Sequence, residues 1–265
     1  EGGNALGTIT ADMIDRVEVI TNPSAKYDAE GTAGIINIVL KKNEKEGWNG
    51  AVTVNTGIPN NHSFGLSLNN RTKRLNLFSQ IGIGHRTFPN KYQRTNQDLV
   101  NETLINVDGE SEKNETFYNL ILGTDYFISP NDVITLSGRF AYEIETEFSD
   151  NDFVLTRQGN FESNWLRTEE TEATNPKYEY ELQYKKDFKG HEDQDLLISV
   201  LGQFFGKDQS SAFNDNTLEG DRADFAQQTA TDFREAMYTF KLDYTHPFKE
   251  FYTIETGAQY LLNNV

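Results

Sequence analysis

Residues Ile14 to Lys42 read IDRVEVITNPSAKYDAEGTAGIINIVLKK, and this stretch is the most informative part of the chain. It holds two runs rich in β-branched residues, Arg16–Thr21 and Ile35–Leu40. Between them stands the turn-forming pair Asn22-Pro23, followed by small and polar residues. The pattern predicts two short strands joined by an irregular connection.

The order of these residues resembles the closing segment of the plug domain of TonB-dependent outer-membrane receptors, in particular the Bacteroidetes type. The matching positions are Ile14 to Val19, Asn22 to Ser24, Tyr27, and Ala33 to Ile38. The resemblance implies that residues 1–46 are the C-terminal part of a plug domain. It also implies that residues 47–265 are the N-terminal strands of a transmembrane β-barrel, left incomplete because the family's barrel has about 22 strands. By this resemblance we expect a fragment of a longer protein.

The resemblance further implies a function and partners. Such a receptor carries out ligand-gated, active uptake of a nutrient, which here is a ferric chelate, haem, a glycan or a peptide. Its partners are outer-membrane lipid, the nutrient, and a TonB-type energy-coupling protein that binds through a region missing here. Arg16 and Glu18 occupy plug-strand positions where the family often places charges that pair with the barrel wall; a solvent-facing alternation on a surface strand is the alternative.

Composition narrows the class of protein. The chain has 265 residues, of which 36% are hydrophobic, and its mean hydropathy is −0.64. No run of about 18 apolar residues is present, so we expect no membrane-spanning helix. A net charge of −17 argues against nucleic-acid binding, which requires a basic face for the phosphates. The absence of cysteine excludes disulfides and cysteine-based metal or redox chemistry.

Beyond Lys42, apolar and polar residues alternate with the period of two that is typical of β-strands. In the clearest run, Ile134, Leu136 and Phe140 alternate with Thr135, Ser137 and Arg139. We count about nine such strands, many of them about ten residues long, which is enough to cross a hydrocarbon layer at a tilt. They lie at Trp48–Thr56, Phe64–Leu68, Leu75–Ile83, Tyr118–Tyr126, Ile134–Ile144, Tyr178–Tyr184, Leu196–Phe204, Tyr238–Tyr244 and Tyr252–Tyr260.

The connections between these strands alternate in length. Short turns are expected at Asn70–Lys73, Ser129–Asp132, Lys189–Gln194 and His246–Glu250, and long loops at Arg86–Glu115, Phe148–Pro176 and Lys207–Glu235. Short periplasmic turns and long outer loops are typical of an outer-membrane barrel, whereas a soluble sandwich has no reason to place its long connections at one end. Aromatic residues near the short turns fit an interfacial girdle, although ordinary packing at strand ends explains them too: Tyr126, Phe127, Phe188, Phe248, Phe251 and Tyr252.

The expected long loops contain aromatic side chains amid polar residues: Phe88, Tyr92, Phe161, Trp165, Phe213 and Phe225. Ligand-binding loops use such anchors, because sugars and chelates stack on aromatic rings. The same residues also suit small packed clusters within the loops. We therefore carry two hypotheses for them, ligand binding and packing.

The sequence offers no catalytic motif. A G-x-S-x-G elbow, an H-E-x-x-H pair and a P-loop are all missing, and the four histidines show no metal-ligand spacing. We therefore expect no enzyme, no metal site and no cofactor. An acidic run, Glu143 to Asp152, fits a solvated loop face.

The sequence predicts an all-β fold: an antiparallel up-and-down outer-membrane β-barrel, partial at about nine strands, preceded by the end of a small plug domain. The expected location is the outer membrane of a Gram-negative bacterium. The alternative to the receptor is a non-transporting surface barrel or adhesin that binds a partner protein through its long loops.

Overall fold

The first two strands form a small sheet of their own. The structure is a computed structural model that describes residues 14–20, 35–40, 46–190, 194–248 and 252–264. Strand β1, Ile14–Ile20, pairs antiparallel with β2, Ile35–Leu40, with Val17 opposite Ile38. The two predicted strands are confirmed, and the connection at 21–34 lies outside the described residues.

The remaining nine strands form one antiparallel sheet in which every strand pairs with its neighbour in the sequence. Strand β3 lies at one edge and β11 at the other. Each of the nine runs predicted from alternation lies within one of these strands, so the up-and-down topology is confirmed. The bounds are β3 Gly47–Gly57, β4 Asn61–Arg71, β5 Leu75–Asp98, β6 Thr103–Ser129, β7 Asp132–Arg157, β8 Asn160–Asp187, β9 Asp195–Gly220, β10 Phe225–Phe248 and β11 Tyr252–Asn264.

The three long loops predicted from the sequence are wrong, because all three segments continue the sheet. In the first, Arg86 pairs with Glu115, and the ladder continues to the pair Asp98 and Thr103. The hairpins close in tight turns such as Gln158-Gly159, where both residues have positive φ. Polar residues predominate on both faces of these extensions, with single apolar residues such as Val107 and Trp165 among them, so the regular apolar alternation that marks the rest of each strand is absent there. We call these extensions the hairpin tips.

One face of the sheet, which we call the outward face, carries a continuous apolar band. In β7 the band runs from Ile134 to Ile144, and Leu136 within it is 53% exposed. These 11 residues rise about 3.3 Å each, so at a strand tilt of about 40° the band is about 25 Å tall, the height of a hydrocarbon layer. Other exposed members are Leu77, Ile81, Ile83, Leu122, Leu182, Ile198, Leu242 and Ile254. Among the described residues, no helix is long and apolar enough to span a membrane.

Aromatic rings lie in the upper half of this band and at its lower border. In the upper half, toward the hairpin tips, Phe204 lies 5.7 Å from Tyr238 between ring centroids, and Phe140 lies 5.3 Å from Tyr178. Near the short turns, Tyr252 stacks on Phe248 at 4.8 Å. Of the residues predicted for this lower row, Tyr126, Phe248 and Tyr252 are exposed, Phe127 and Phe188 are half-buried, and Phe251 lies outside the described residues.

A hydrogen-bonded network fixes the turn between β6 and β7, just below the band. Asp132 accepts hydrogen bonds from Ser129 Oγ at 2.5 Å, Tyr184 Oη at 2.9 Å and Lys186 Nζ at 2.9 Å. These donors, with Ser129 first, lower the pKa of the Asp132 carboxyl to about 2. The network joins the turn to β8 across the sheet.

Candidate functional site: the inward face of the sheet

The opposite, inward face is polar at the same height as the apolar band. Residues that oppose one another across β6 to β10 form three rows on this face. The middle row runs Asn119, Ala141, Lys177, Phe205 and Glu235. Below it, toward the short turns, lie Ile121, Arg139, Glu179, Gln203 and Met237, and above it lie Phe117, Glu143, Asn175, Lys207 and Phe233.

These rows enclose a cavity of about 460 Å³. Ala141 has the smallest side chain of the middle row, and the cavity forms a depression over it. The apolar part of the lining is aromatic: the rings of Phe205 and Phe233 are 5.9 Å apart, and Phe117 lines the opposite side. A cavity of this size accommodates a small organic ligand.

The carboxylates of the cavity have partners in the wall. Glu235 accepts a hydrogen bond from Asn263 Nδ2 at 3.0 Å, and Glu179 accepts one from Gln203 Nε2 at 3.4 Å. Glu143 lies 4.0 Å from Arg86 Nη2. Each of these carboxylates therefore has a donor beside it, which is a neutral amide for Glu179 and Glu235 and a guanidinium for Glu143.

The two cationic side chains of the cavity differ from the carboxylates in their contacts. Within the described part of the chain, Arg139 and Lys177 form no ion pair with a carboxylate, although Arg139 is the cross-strand neighbour of Glu179. The ammonium group of Lys177 lies over the Phe205 ring, 5.1 Å from its centroid. The side chain of Arg139 is exposed.

Above the cavity, a charge network connects β5, β6 and β7. Arg86 Nη2 lies 2.8 Å from Glu115 Oε2, and Lys113 Nζ lies 2.9 Å from Glu115 and 3.3 Å from Glu145. Carboxylate oxygens of Glu115, Glu143 and Glu145 approach within 4.8 Å of one another. Arg86 and Lys113 offset part of this negative charge, and their ion pairs link the three strands to one another.

A second cluster lies on the inward face of the hairpin tips, around a buried carboxylate. Asp215 is 1% exposed and accepts hydrogen bonds from Arg167 Nε at 2.6 Å and Nη2 at 2.8 Å. Arg222, from the turn after β9, donates to Asp215 Oδ2, which also accepts from Arg167 Nη2, and lies 4.1 Å from the centroid of the Trp165 ring. Hydrogen bonds from Arg167, together with the charge of Arg222, lower the pKa of Asp215. The cluster holds this turn against β8.

The six aromatic residues predicted as loop anchors all lie in strands, not loops. Trp165 is 6% exposed and stacks on Phe153 at 4.9 Å, and Tyr92 reaches across Gly109 to donate to Asn151 Oδ1 at 2.5 Å. Three others remain about half exposed, namely Phe88, Phe161 and Phe225, and Phe213 is half-buried. Ligand binding by these residues stays a prediction, and the contacts of Trp165 and Tyr92 favour packing for those two.

Arg16 and Glu18 lie in β1, opposite Val39 and Asn37, and their side chains fall outside the described part of the structure. Pairing of these two charges with the barrel wall therefore stays a prediction. In the acidic run, by contrast, Glu143 and Glu145 belong to the inward network and not to a solvated loop. Neither this network nor the pair Arg139 and Lys177 was predictable from the sequence, which does not reveal which polar residues oppose one another across strands.

The C-terminal part of the chain matches a known family. Residues 186–265 match the family described as outer membrane protein beta-barrel family. Among curated proteins, none matches the chain. The match agrees with the two faces of the sheet, one apolar and bordered by aromatic rings, the other polar. The nine described strands are therefore an antiparallel, up-and-down wall of an outer-membrane β-barrel, and the protein is located in the cell outer membrane.

Proposed function

We propose that the chain is part of a TonB-dependent, ligand-gated receptor that takes up a nutrient across the outer membrane. The observation that supports this most is the charged inward face at the height of the lipid-facing band. Arg139, Glu143, Lys177 and Glu179 all project from that face into the same cavity. Charges in such number are stable only beside water or another polar surface, so the lumen is wide and polar.

Outer-membrane barrels with a polar lumen are either open channels, as in porins, or plugged, as in barrels of about 22 strands. The two-stranded sheet β1–β2 precedes the wall in the chain, and its sequence resembles the end of such a plug. Residues 1–46 are accordingly assigned to the plug, and those from 47 onward to the wall.

Growth assays in the native host test this proposal. One strain lacks the intact gene and a second lacks the energy-coupling protein; each is grown with ferric citrate, haemin, an oligosaccharide mixture or a peptide mixture as the limiting source. We expect both strains to lose growth on the same source, and plasmid-borne wild-type gene to restore it only in the first. A source on which only the second strain fails belongs to another receptor.

The competing function is a non-transporting barrel that binds a partner protein. The tall hairpin tips favour it, because they extend each strand well beyond the apolar band; β8, for example, has 28 residues. In that case the gene deletion leaves growth on all four sources unchanged and abolishes adhesion of the cells to an immobilised host-cell extract. That pair of results contradicts the receptor proposal.

A further inference from the structure

The distribution of charge partners in the inward cavity indicates which ligand it takes. Glu143, Glu179 and Glu235 each have a partner in the wall. Within the described residues, Arg139 and Lys177 have no carboxylate partner. Arg139 and Lys177 are therefore the lining groups left to donate charge-assisted hydrogen bonds to an anion, whereas the three carboxylates already face donors of the wall.

The apolar part of the cavity adds a second requirement. Phe205 and Phe233 present neighbouring rings, and Phe117 lies across the depression over Ala141. Aromatic rings favour stacking or edge contacts with another flat ring, and Lys177 already lies over one of them. A ligand that fills this space carries a flat ring next to its anionic group.

We propose that this cavity binds a small aromatic carboxylate, or the aryl carboxylate end of a larger nutrient. The carboxylate lies against Arg139, which offers planar, bidentate hydrogen bonds, and Lys177 adds a second positive charge. The ring lies over Ala141 among Phe117, Phe205 and Phe233. The inference rests on the proposed function in that the cavity lines the uptake path, but the binding reaction itself requires no transport.

The test is isothermal titration calorimetry on the purified intact receptor in detergent micelles, with empty micelles as the blank. The probes are 2-naphthoate, which has the ring and the anion, 2-naphthylmethylamine, which has the ring and a cation, and acetate, which has the anion alone. We expect saturable binding of 2-naphthoate at one site, and binding of the other two at least about tenfold weaker.

Three substitutions and one control locate the site. R139Q removes the guanidinium and weakens 2-naphthoate binding by about tenfold or more, because a hydrogen bond to a charged group is lost. R139K keeps the charge and retains more of the affinity than R139Q. K177Q weakens binding, whereas K185Q, the same change on the same strand at an ammonium that pairs with Asp187 near the short turns, leaves it unchanged.

Absence of saturable 2-naphthoate binding by the wild type overturns the inference, as does tighter binding of the amine. Equal affinities of R139Q and K185Q, each with a wild-type circular dichroism spectrum, overturn it too. Because binding is measured in micelles and uptake in cells, binding without any growth phenotype leaves this inference standing and contradicts the proposed function. A growth phenotype without binding of 2-naphthoate contradicts this inference and leaves the proposed function standing.

Discussion

Replacing Asp215 with asparagine removes the carboxylate that Arg167 and Arg222 share. The Asp215 side chain is 0% exposed, so water does not replace the lost charge. Removing one partner of a buried ion pair costs about 3–5 kcal/mol. Because the guanidinium groups of Arg167 and Arg222 are 34% and 28% exposed, we expect the low end of this range, about 3 kcal/mol.

Tryptophan fluorescence reports this loss directly. The chain has two tryptophans; Trp165 is buried within the cluster, whereas Trp48 is 77% exposed. In a W48F background, urea unfolding in detergent micelles followed at the emission maximum therefore measures the cluster around Trp165. We expect D215N to lower the unfolding midpoint with little change in slope, since the buried area changes little.

The matched control is D208N, the same substitution on the same strand. Asp208 also binds an arginine through both oxygens, to Arg234 Nη2 at 2.8 and 3.0 Å. This pair is exposed, with both side chains more than half accessible, and exposed ion pairs contribute less than about 1 kcal/mol. Equal midpoints for D215N and D208N refute the claim that burial of Asp215 stabilises the hairpin tips.

The pKa of Asp215 gives this stabilisation a pH dependence. Because Arg167 and Arg222 lower the pKa in the folded state, the contribution of the carboxylate is fully present above the unfolded-state pKa of about 3.9. It is lost as the pH falls through the lower folded-state value. We therefore expect the difference in midpoint between wild type and D215N to be constant from about pH 7 to pH 5 and to shrink below about pH 4.

Two further pairs of substitutions test the assignment of the two faces of the sheet and a close contact between neighbouring strands. L136R places a charge in the lipid-facing band and lowers the free energy of unfolding in lipid vesicles by about 2–4 kcal/mol. S137R places the same charge on the inward face and costs less. Equal losses of unfolding free energy in urea titrations contradict the assignment of the faces. G202A places a methyl group against the Tyr180 ring, too close for ordinary packing, and costs about 1–3 kcal/mol. In G138A the added methyl group has no neighbour closer than 3.8 Å, so we expect a thermal midpoint at or above that of the wild type. If G138A loses as much stability as G202A, the contact between residue 202 and the Tyr180 ring is refuted.

The sequence revealed the parts of the wall that contact lipid. Alternation at positions such as Ile134 and Leu136 is forced by the pleat, because every second side chain must be apolar in the membrane, and it located all nine strands. The hairpin tips were missed for the converse reason. Where polar residues predominate on both faces, as between Arg86 and Glu115, a strand and a loop have similar compositions, and pairing is visible only in the structure.

The candidate site could not be predicted from the sequence for a different reason. Arg139, Lys177 and Glu235 lie on different strands, and only the register brings them together around Ala141. A shift of one residue in any strand turns its side chain away from the cavity. The sequence likewise gave no sign that Asp215 is buried, because the partners that make its burial tolerable, Arg167 and Arg222, come from another strand and from a turn.

Spin-label accessibility along β7 tests the central claim, that one face of the sheet contacts lipid and the other lines a polar lumen. The chain contains no cysteine, so single cysteines from Ile134 to Ile144 can be labelled in outer-membrane vesicles without background from these 265 residues, once any cysteine elsewhere in the intact protein is replaced. We predict that labels at even-numbered positions collide with oxygen, which concentrates in the bilayer, more than with a water-soluble nickel chelate, and that odd-numbered labels do not. Equal accessibility at neighbouring positions, or the opposite alternation, contradicts the account.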